Sequence, residues 1–378
     1  MKPLRIFFSV SVIALVAAPF FFAQDGPKST GTDTVARPRK KGDSNSTTPA
    51  PDAEQPKIPS KFNKKDALPE NAPTFSTDAT TVTVDVAVLD SKGHFIPKIP
   101  RGNFRILEDN VPQQISSFNM GEAPMTIALV VEFSARFQQF YSEIWYQTLT
   151  AAYGFVQTLK PEDYIAVIAY DLRPEILSDF STDRHDVQDA LSRLRIPAFS
   201  EANLFDALVY TSERMQDIEG RKAILVLSTG IDTFSKLTFD KTRRALQESG
   251  VPIYAISLAQ ALRIVAEGQM SDSARMDWLQ ADNQLRTFTK ETGGLAFFPR
   301  FYGEFPSIFQ SINESLRNQY VLTYTPQNQA RDGKFRKIKV DLIDPATGEP
   351  LRVVDEKQKP IKYQVMAKPG YKAPRTVE

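Results

Sequence analysis

Three stretches of this chain run from apolar residues into side chains that carry oxygen or charge. They are Thr126-Ile-Ala-Leu-Val-Val-Glu-Phe-Ser-Ala-Arg136, Ser200-Glu-Ala-Asn-Leu-Phe-Asp-Ala-Leu208 and Ala223-Ile-Leu-Val-Leu-Ser-Thr-Gly-Ile-Asp232. Oxygen donors gathered on loops suit a hard cation, which wants carboxylates, hydroxyls and water in near-octahedral array. Glu132 can supply a carboxylate and Ser134 a hydroxyl. Arg136 works against that use, because its guanidinium is always charged and repels a cation. Its charge can instead pair with Glu132, Asp232 or both and hold the loops together without an ion. The other reading leaves it pointing to solvent from the first turn of a helix. Asp232 reads as a solvated loop residue, and Asp206 as a first-turn acid favoured by the helix dipole.

Composition removes several other chemistries. There is no cysteine, so disulfides, thiolate metal sites and cysteine nucleophiles are excluded. The two histidines, His94 and His185, both on polar segments, leave little room for a histidine-based triad or zinc site. The chain contains no Gly-x-Ser-x-Gly elbow, no phosphate-cradling glycine loop and no His-Glu-x-x-His. A formal net charge of +1 gives no reason to expect nucleic acid as a partner. The 45 Asp and Glu residues keep a hydrolase working through paired carboxylates open.

The N-terminus reads as a targeting segment. Lys2 and Arg5 precede an apolar run from Ile6 to Phe22, and polar sequence begins at Gln24. Residues 1–23 are therefore a signal peptide or an uncleaved anchor. Phe21 stands where a cleavage site wants a small residue, so both alternatives stay open. Either way the rest of the chain is expected outside the cytoplasm: in the periplasm, at the cell surface or beyond. Membrane contact is expected only through that possible anchor. Residues 24–75, rich in Pro, Ser, Thr, Gly and Lys, read as a disordered linker that buries too little apolar surface to order itself.

The loops need elements to position them. Val82, Val84, Val86 and Val88 alternate with Thr83 and Asp85, the pattern of a half-buried strand. Asn103–Glu108, the turn Asp109-Asn110 and Gln113–Phe118 read as a hairpin. Near the other end, Tyr320, Leu322 and Tyr324 alternate with polar neighbours, as do Ile338, Val340 and Leu342, and a last strand covers Tyr363–Met366. Neither block can stand alone, because a few half-buried strands need a second layer. Residues 76–120 and 319–370 are therefore expected to form one discontinuous antiparallel β-sandwich, with 371–378 a tail. The middle, 121–318, alternates continuous apolar strands (Thr126–Val131, Tyr164–Tyr170, Ala223–Leu227, Pro252–Ser257, Gly294–Phe298) with amphipathic helices. That pattern predicts an α/β, doubly wound, mostly parallel sheet, whose ligands bind at the carboxyl ends of the strands. Tyr146 and Tyr153 lie off the apolar stripe of the first helix, and Gln260–Asn283 leaves from the same edge. Both are candidates for a contact surface.

Together the three loops resemble those of a von Willebrand factor A domain. With the flanking strands, residues from about 76 onward are similar to secreted bacterial proteins related to that domain, of the kind common in acidobacteria. The matching flanks are Val84-Asp-Val-Ala-Val, Asn103-Phe-Arg-Ile-Leu-Glu-Asp109, Tyr320-Val-Leu-Thr-Tyr-Thr-Pro326, Asp332-Gly-Lys-Phe-Arg-Lys-Ile338 and Lys368-Pro-Gly-Tyr-Lys-Ala-Pro374. In that family the loops hold a divalent cation through an Asp-x-Ser-x-Ser run, a Thr and a distant Asp. Those places here read Glu132, Ser134, Arg136, Ala202 and Thr229, and only Ser134 matches. The resemblance implies a binding or adhesion module; the four departures from the ligand pattern imply that it works without metal or cofactor, and the missing catalytic motifs that it is non-enzymatic. Its partner would be a protein or surface polymer, held on the face formed by Glu132, Ser134, Arg136, Asn203, Thr229 and Asp232. Metal-dependent (Mg²⁺ or Mn²⁺) adhesion and a carboxylate-dependent hydrolase of wall polymers are the alternatives.

Overall fold

The computed structural model describes residues 81–134, 141–194, 199–258, 260, 263–264, 268, 270–354 and 357–375. The targeting segment, the linker, Arg136 and the final residues of the tail lie outside them. The strands are β1 (Val82–Asp90), β2 (Phe104–Glu108), β3 (Val111–Gln113), β4 (Ile115–Gly121), β5 (Met125–Glu132), β6 (Tyr164–Tyr170), β7 (Pro174–Ser181), β8 (Arg221–Ser228) and β9 (Ile253–Ser257). After them come β10 (Ala296–Phe297), β11 (Gln319–Tyr324), β12 (Phe335–Leu342), β13 (Val353–Val354), β14 (Pro360–Ile361), β15 (Tyr363–Ala367) and β16 (Gly370–Lys372). The helices are α1 (Tyr141–Gln157), α2 (Arg184–Ser192), α3 (Leu204–Met215), α4 (Phe239–Ser249), α5 (Asp272–Thr292) and α6 (Phe305–Arg317).

The central sheet has the order β10-β9-β8-β5-β6-β7, parallel except for β7. Every residue of β5 is buried, so the strand needs cover on both faces. Alternate residues supply the two cores. Ile127, Leu129 and Val131 face one cluster with Ala152 and Phe155 of α1, Leu191 of α2 and Ile312 of α6. Ala128 and Val130 face the other, with Leu208 of α3, Leu246 of α4 and Leu285 of α5. The predicted doubly wound, mostly parallel sheet is thus present. Strand β7 was not legible in the sequence. It is a half-buried antiparallel edge without an apolar run, so it carries no strong periodicity.

Two four-stranded antiparallel sheets flank this layer, β15-β1-β11-β4 and β16-β12-β2-β3. Val84 of β1 lies opposite Leu322 of β11, and Val340 of β12 opposite Ile106 of β2. Inward side chains of both sheets form one core containing Val84, Val86, Ile106, Leu322, Tyr324 and Val340. The predicted hairpin differs in its second arm. Asp109 and Asn110, with φ of 47° and 69°, make a tight two-residue turn. Its return strand is β3, with Val111 opposite Glu108. The chain then crosses to the other sheet, where β4 pairs with β11. Gln113–Phe118 was read as one strand because the crossing between Gln113 and Ile115 contains no glycine or proline.

One flanking sheet, β15-β1-β11-β4, also shares a core with the central one. Ala87 and Leu89 of β1 and Met366 of β15 pack in the cluster that holds α1 and α6. This explains why β1 loses its alternation after Val86: from there it is buried on both faces. The two chain crossings are tied by one side chain. Arg221, the first residue of β8, donates to the carbonyl oxygens of Gly121 and Arg317, where the chain enters and leaves the central layer. The side chain of Arg317 donates to buried Asp163 (2.7 Å), which also accepts from the amides of Met125 (3.0 Å) and Lys160 (2.7 Å).

We propose that residues 76–120 and 319–370 fold as one unit with 121–318 inserted. Truncation before Gln319 should then abolish cooperative unfolding of the whole chain. A truncated protein melting like the full chain would refute this. Arg221→Met removes two charge-assisted hydrogen bonds and should cost about 2–3 kcal/mol. Urea denaturation of the variant checks that value.

Candidate functional site

The carboxyl ends of β5, β6 and β8 lie side by side. Glu132 is opposite Tyr170, and Val131 is opposite Leu227, one residue before Ser228. All three end residues follow the same alternation and turn toward the same face. Register alone therefore brings a carboxyl, a phenol and a hydroxyl together. Glu132, Ser134, Tyr170, Ser228 and Thr229 are all buried, Glu132 completely.

The Glu132 carboxyl is the common acceptor. One oxygen, Oε2, accepts from the Thr229 amide (2.7 Å) and the Ser228 hydroxyl (2.9 Å). The other, Oε1, accepts from the Ser134 hydroxyl (3.1 Å). The Thr229 hydroxyl lies within reach of both, at 3.1 and 2.9 Å. The Tyr170 phenol is 3.4 Å from Oε2 but 2.8 Å from Ser228 Oγ, and its single hydrogen serves the shorter contact. Ser228 Oγ also accepts from the Gly230 amide (2.8 Å), and Thr229 Oγ1 from the Ile231 amide (3.2 Å). Burial raises the carboxyl above the usual range, opposed by the hydrogen bonds from Thr229, Ser228 and Ser134. Tyr170 is raised well above its usual value by burial first and by the neighbouring carboxyl second. Gly230 lets the β8 loop turn here. Its φ is +80°, and a Cβ would meet the Ala281 carbonyl oxygen of α5 at 2.8 Å.

The remaining predicted site residues serve other ties. Asp232 Oδ1 accepts from the Phe205 amide in the first turn of α3 (3.1 Å) and from Ser235 Oγ (2.5 Å). Asp206 accepts from the amides of Lys236 and Leu237, both at 3.0 Å. Asn203 is buried and donates to Leu172 O (2.7 Å), while its Oδ1 accepts nothing among the described residues. Ala202 offers only backbone, bonded to Thr233 through both its amide and its carbonyl. Arg136 lies outside the described residues. The structure thus brings Glu132, Ser134 and Thr229 together and gives Asp232 and Asn203 separate tasks. Sequence reasoning missed Tyr170 and Ser228. Their signal was available: each is the polar last residue of an apolar strand level with Glu132.

A divalent cation does not fit this donor set. The cage holds one carboxylate, and its hydroxyls point their hydrogens at it. Ala202 has no side-chain oxygen and Thr229 no charge. Among the described residues there is no group of three or more His, Asp or Glu side chains that could hold a metal.

Around the cage the carboxyl edge carries exposed apolar side chains. Nine large apolar side chains are exposed among the described residues, and six lie on segments at this edge: Phe199, Phe234, Ile264, Met276, Leu279 and Phe301. Phe234 follows β8, Ile264 follows β9 and Phe301 follows β10. Phe199 leads into α3, whose Asn203 amide is tied to Asp171 O just beyond β6. Met276 and Leu279 sit on the first turns of α5, ahead of the Ala281 that backs Gly230. The Gln260–Asn283 stretch thus divides. Ala281 and Asp282 are buried, while Met276 (65% exposed) and Leu279 (51%) are not. Tyr153, a surface candidate in the sequence, is half-buried and donates to Gln188 O of α2 (3.3 Å). The side chain of Tyr146 lies outside the description.

Residues 126–300 match the family described as von Willebrand factor type A domain. The chain therefore carries a von Willebrand factor type A domain, spanning the central sheet from β5 to β10. No curated protein matches the sequence. Among solved structures, the vWF domain of the type V pili tip protein Mfa5 from Porphyromonas gingivalis is similar at 14% identity. That match covers 52% of this chain and 97% of that one, with a TM-score of 0.40. Proximal thread matrix protein 1 from the mussel byssus is similar at 13% identity over 56% of this chain, with a TM-score of 0.41. The match spans only 51% of the mussel protein's length. A mutant PilB minor pilin from Streptococcus sanguinis is similar at 10% identity, over 51% of this chain and 61% of that one, with a TM-score of 0.39.

Thr229→Val keeps the side chain's shape and deletes the hydroxyl that reaches both carboxyl oxygens. It should cost about 1–2 kcal/mol. The check is a lower urea midpoint with an unchanged slope.

Proposed function

We propose that this protein is an exported, non-enzymatic binding module that holds a protein or surface polymer on the carboxyl-edge loops of its A domain, without a metal. The observation that carries this reading is the gathering of six of the nine exposed large apolar side chains at that edge. Exposed apolar side chains concentrated in one region mark interaction sites more often than scattered ones do. The edge also follows the rule that open α/β sheets bind at the carboxyl ends of their strands. Glu132 supports the non-enzymatic reading, since a carboxyl with no exposed surface and both oxygens occupied is poorly placed to meet a substrate. Arg136 is proposed to supply positive charge beside Glu132 or half-buried Asp232. Export rests on the charged and then apolar N-terminal segment, with the linker holding the folded part away from the envelope.

The test is capture of envelope components on the immobilised exported chain. The double variant Phe234→Ser, Met276→Ser should lose about 2 kcal/mol of affinity for whatever is captured, roughly a factor of 30, while melting like the wild type. Equal capture by both proteins would move the binding face elsewhere.

A further inference from the structure

The carboxyl edge of the A domain holds its β5 and β8 loops together in an unusual way. Glu132 is one methylene longer than the aspartate that opens the family's cation loop. That extra length lets the carboxyl reach across from β5 to the first amide beyond β8, Thr229 N–H, at 2.7 Å. We infer that the Glu132 carboxyl is a hydrogen-bonded replacement for the divalent ion, tying the two loops permanently. The inference rests on the metal-free part of the proposed function and assigns that part a mechanism.

Three observations carry it. First, the hydroxyls are committed in the wrong sense for a cation. Ser228 Oγ accepts from both Tyr170 and the Gly230 amide, so its two lone pairs are used and only its hydrogen faces the carboxyl. Thr229 Oγ1 spends one of its two lone pairs on the Ile231 amide and turns its hydrogen toward the carboxyl. A cation would need those lone pairs. Second, the acid nearest in sequence, Asp232, is turned away to the first turn of α3 and to Ser235. Among the described residues no second carboxylate is left at the cage to offset the reluctant dehydration of Mg²⁺. Third, Ala202 contributes no side-chain oxygen, and its backbone is spent on Thr233 and Phe234. The cage is complete without an ion, so the edge is assembled at every ion concentration.

The test is thermal unfolding of the exported chain with a chelator, with millimolar Mg²⁺ and with millimolar Mn²⁺. The wild type should melt at one temperature in all three. Glu132→Gln keeps an acceptor for the Thr229 amide and should melt about 3 °C lower. Glu132→Ala strands that amide and several hydroxyls and should fall further, and no ion should restore either variant. Two results would overturn the inference: a wild-type melting point raised by Mg²⁺ or Mn²⁺ with that rise lost in Glu132→Gln, or Glu132→Ala melting with the wild type. If Glu132→Ala does not fold, the wild-type ion series and Glu132→Gln decide. Loss of capture by the Phe234 and Met276 variant without a change in melting concerns the partner surface alone, so the two proposals fail separately.

Discussion

Strand β5 is buried along its whole length, and that demand organises the chain. A strand without a wet face has to be covered twice. Two helical layers follow, with α1, α2 and α6 on one side and α3, α4 and α5 on the other. Both ends of the strand are also fastened by buried polar groups. At the start, the Met125 amide donates to Asp163, itself held by Arg317. At the finish, Glu132 gathers Ser134, Ser228 and Thr229. An acidic side chain can stay in so dry a place because donors surround it; without them its burial would be prohibitive.

The two fastenings differ in kind. Asp163 and Arg317 are a buried ion pair, with the remaining oxygen capacity of Asp163 taken by backbone amides. Such pairs add little net stability over an apolar substitute, yet losing one partner is costly. They specify geometry, here the place where the flanking sheets join the A domain. The Glu132 cage has no cationic partner among the side chains that bond it. Burial and hydrogen bonding oppose each other there, and the raised carboxyl records that burial prevails. A proton or a nearby charge can complete the balance, and Arg136 is the sequence neighbour able to supply the latter.

The sheet was legible from Thr126–Val131, Tyr164–Tyr170 and Ala223–Leu227 because strands buried on both faces are written as unbroken apolar runs. Strand β7 and the Gln113–Ile115 crossing were not. An edge strand and a sheet-to-sheet step depend on what packs beside them, which no local period encodes. At the site, Glu132, Ser134 and Thr229 stood out as polar residues closing apolar runs. Tyr170 and Ser228 were hidden because each also reads as the natural end of a strand, and only the parallel register sets them level with Glu132. Asp232 was read as a loop residue facing solvent. Its tie to the Phe205 amide depends on where α3 begins, a tertiary fact.

The A domain separates its attachments from its candidate binding edge. Gly121, Arg317 and Arg221 sit where β5 and β8 begin, while Glu132 and Thr229 sit where they end. Eight residues of strand set these groups about 26 Å apart. Changes that far apart, without shared partners, act on stability almost independently. The exposed residues at the candidate binding end hang from fixed points: Phe234 two residues beyond Asp232, Met276 and Leu279 just ahead of the Ala281 that abuts Gly230. A surface hung in this way can change its side chains, and with them its partner, while the caged carboxyl beneath keeps the loops in place.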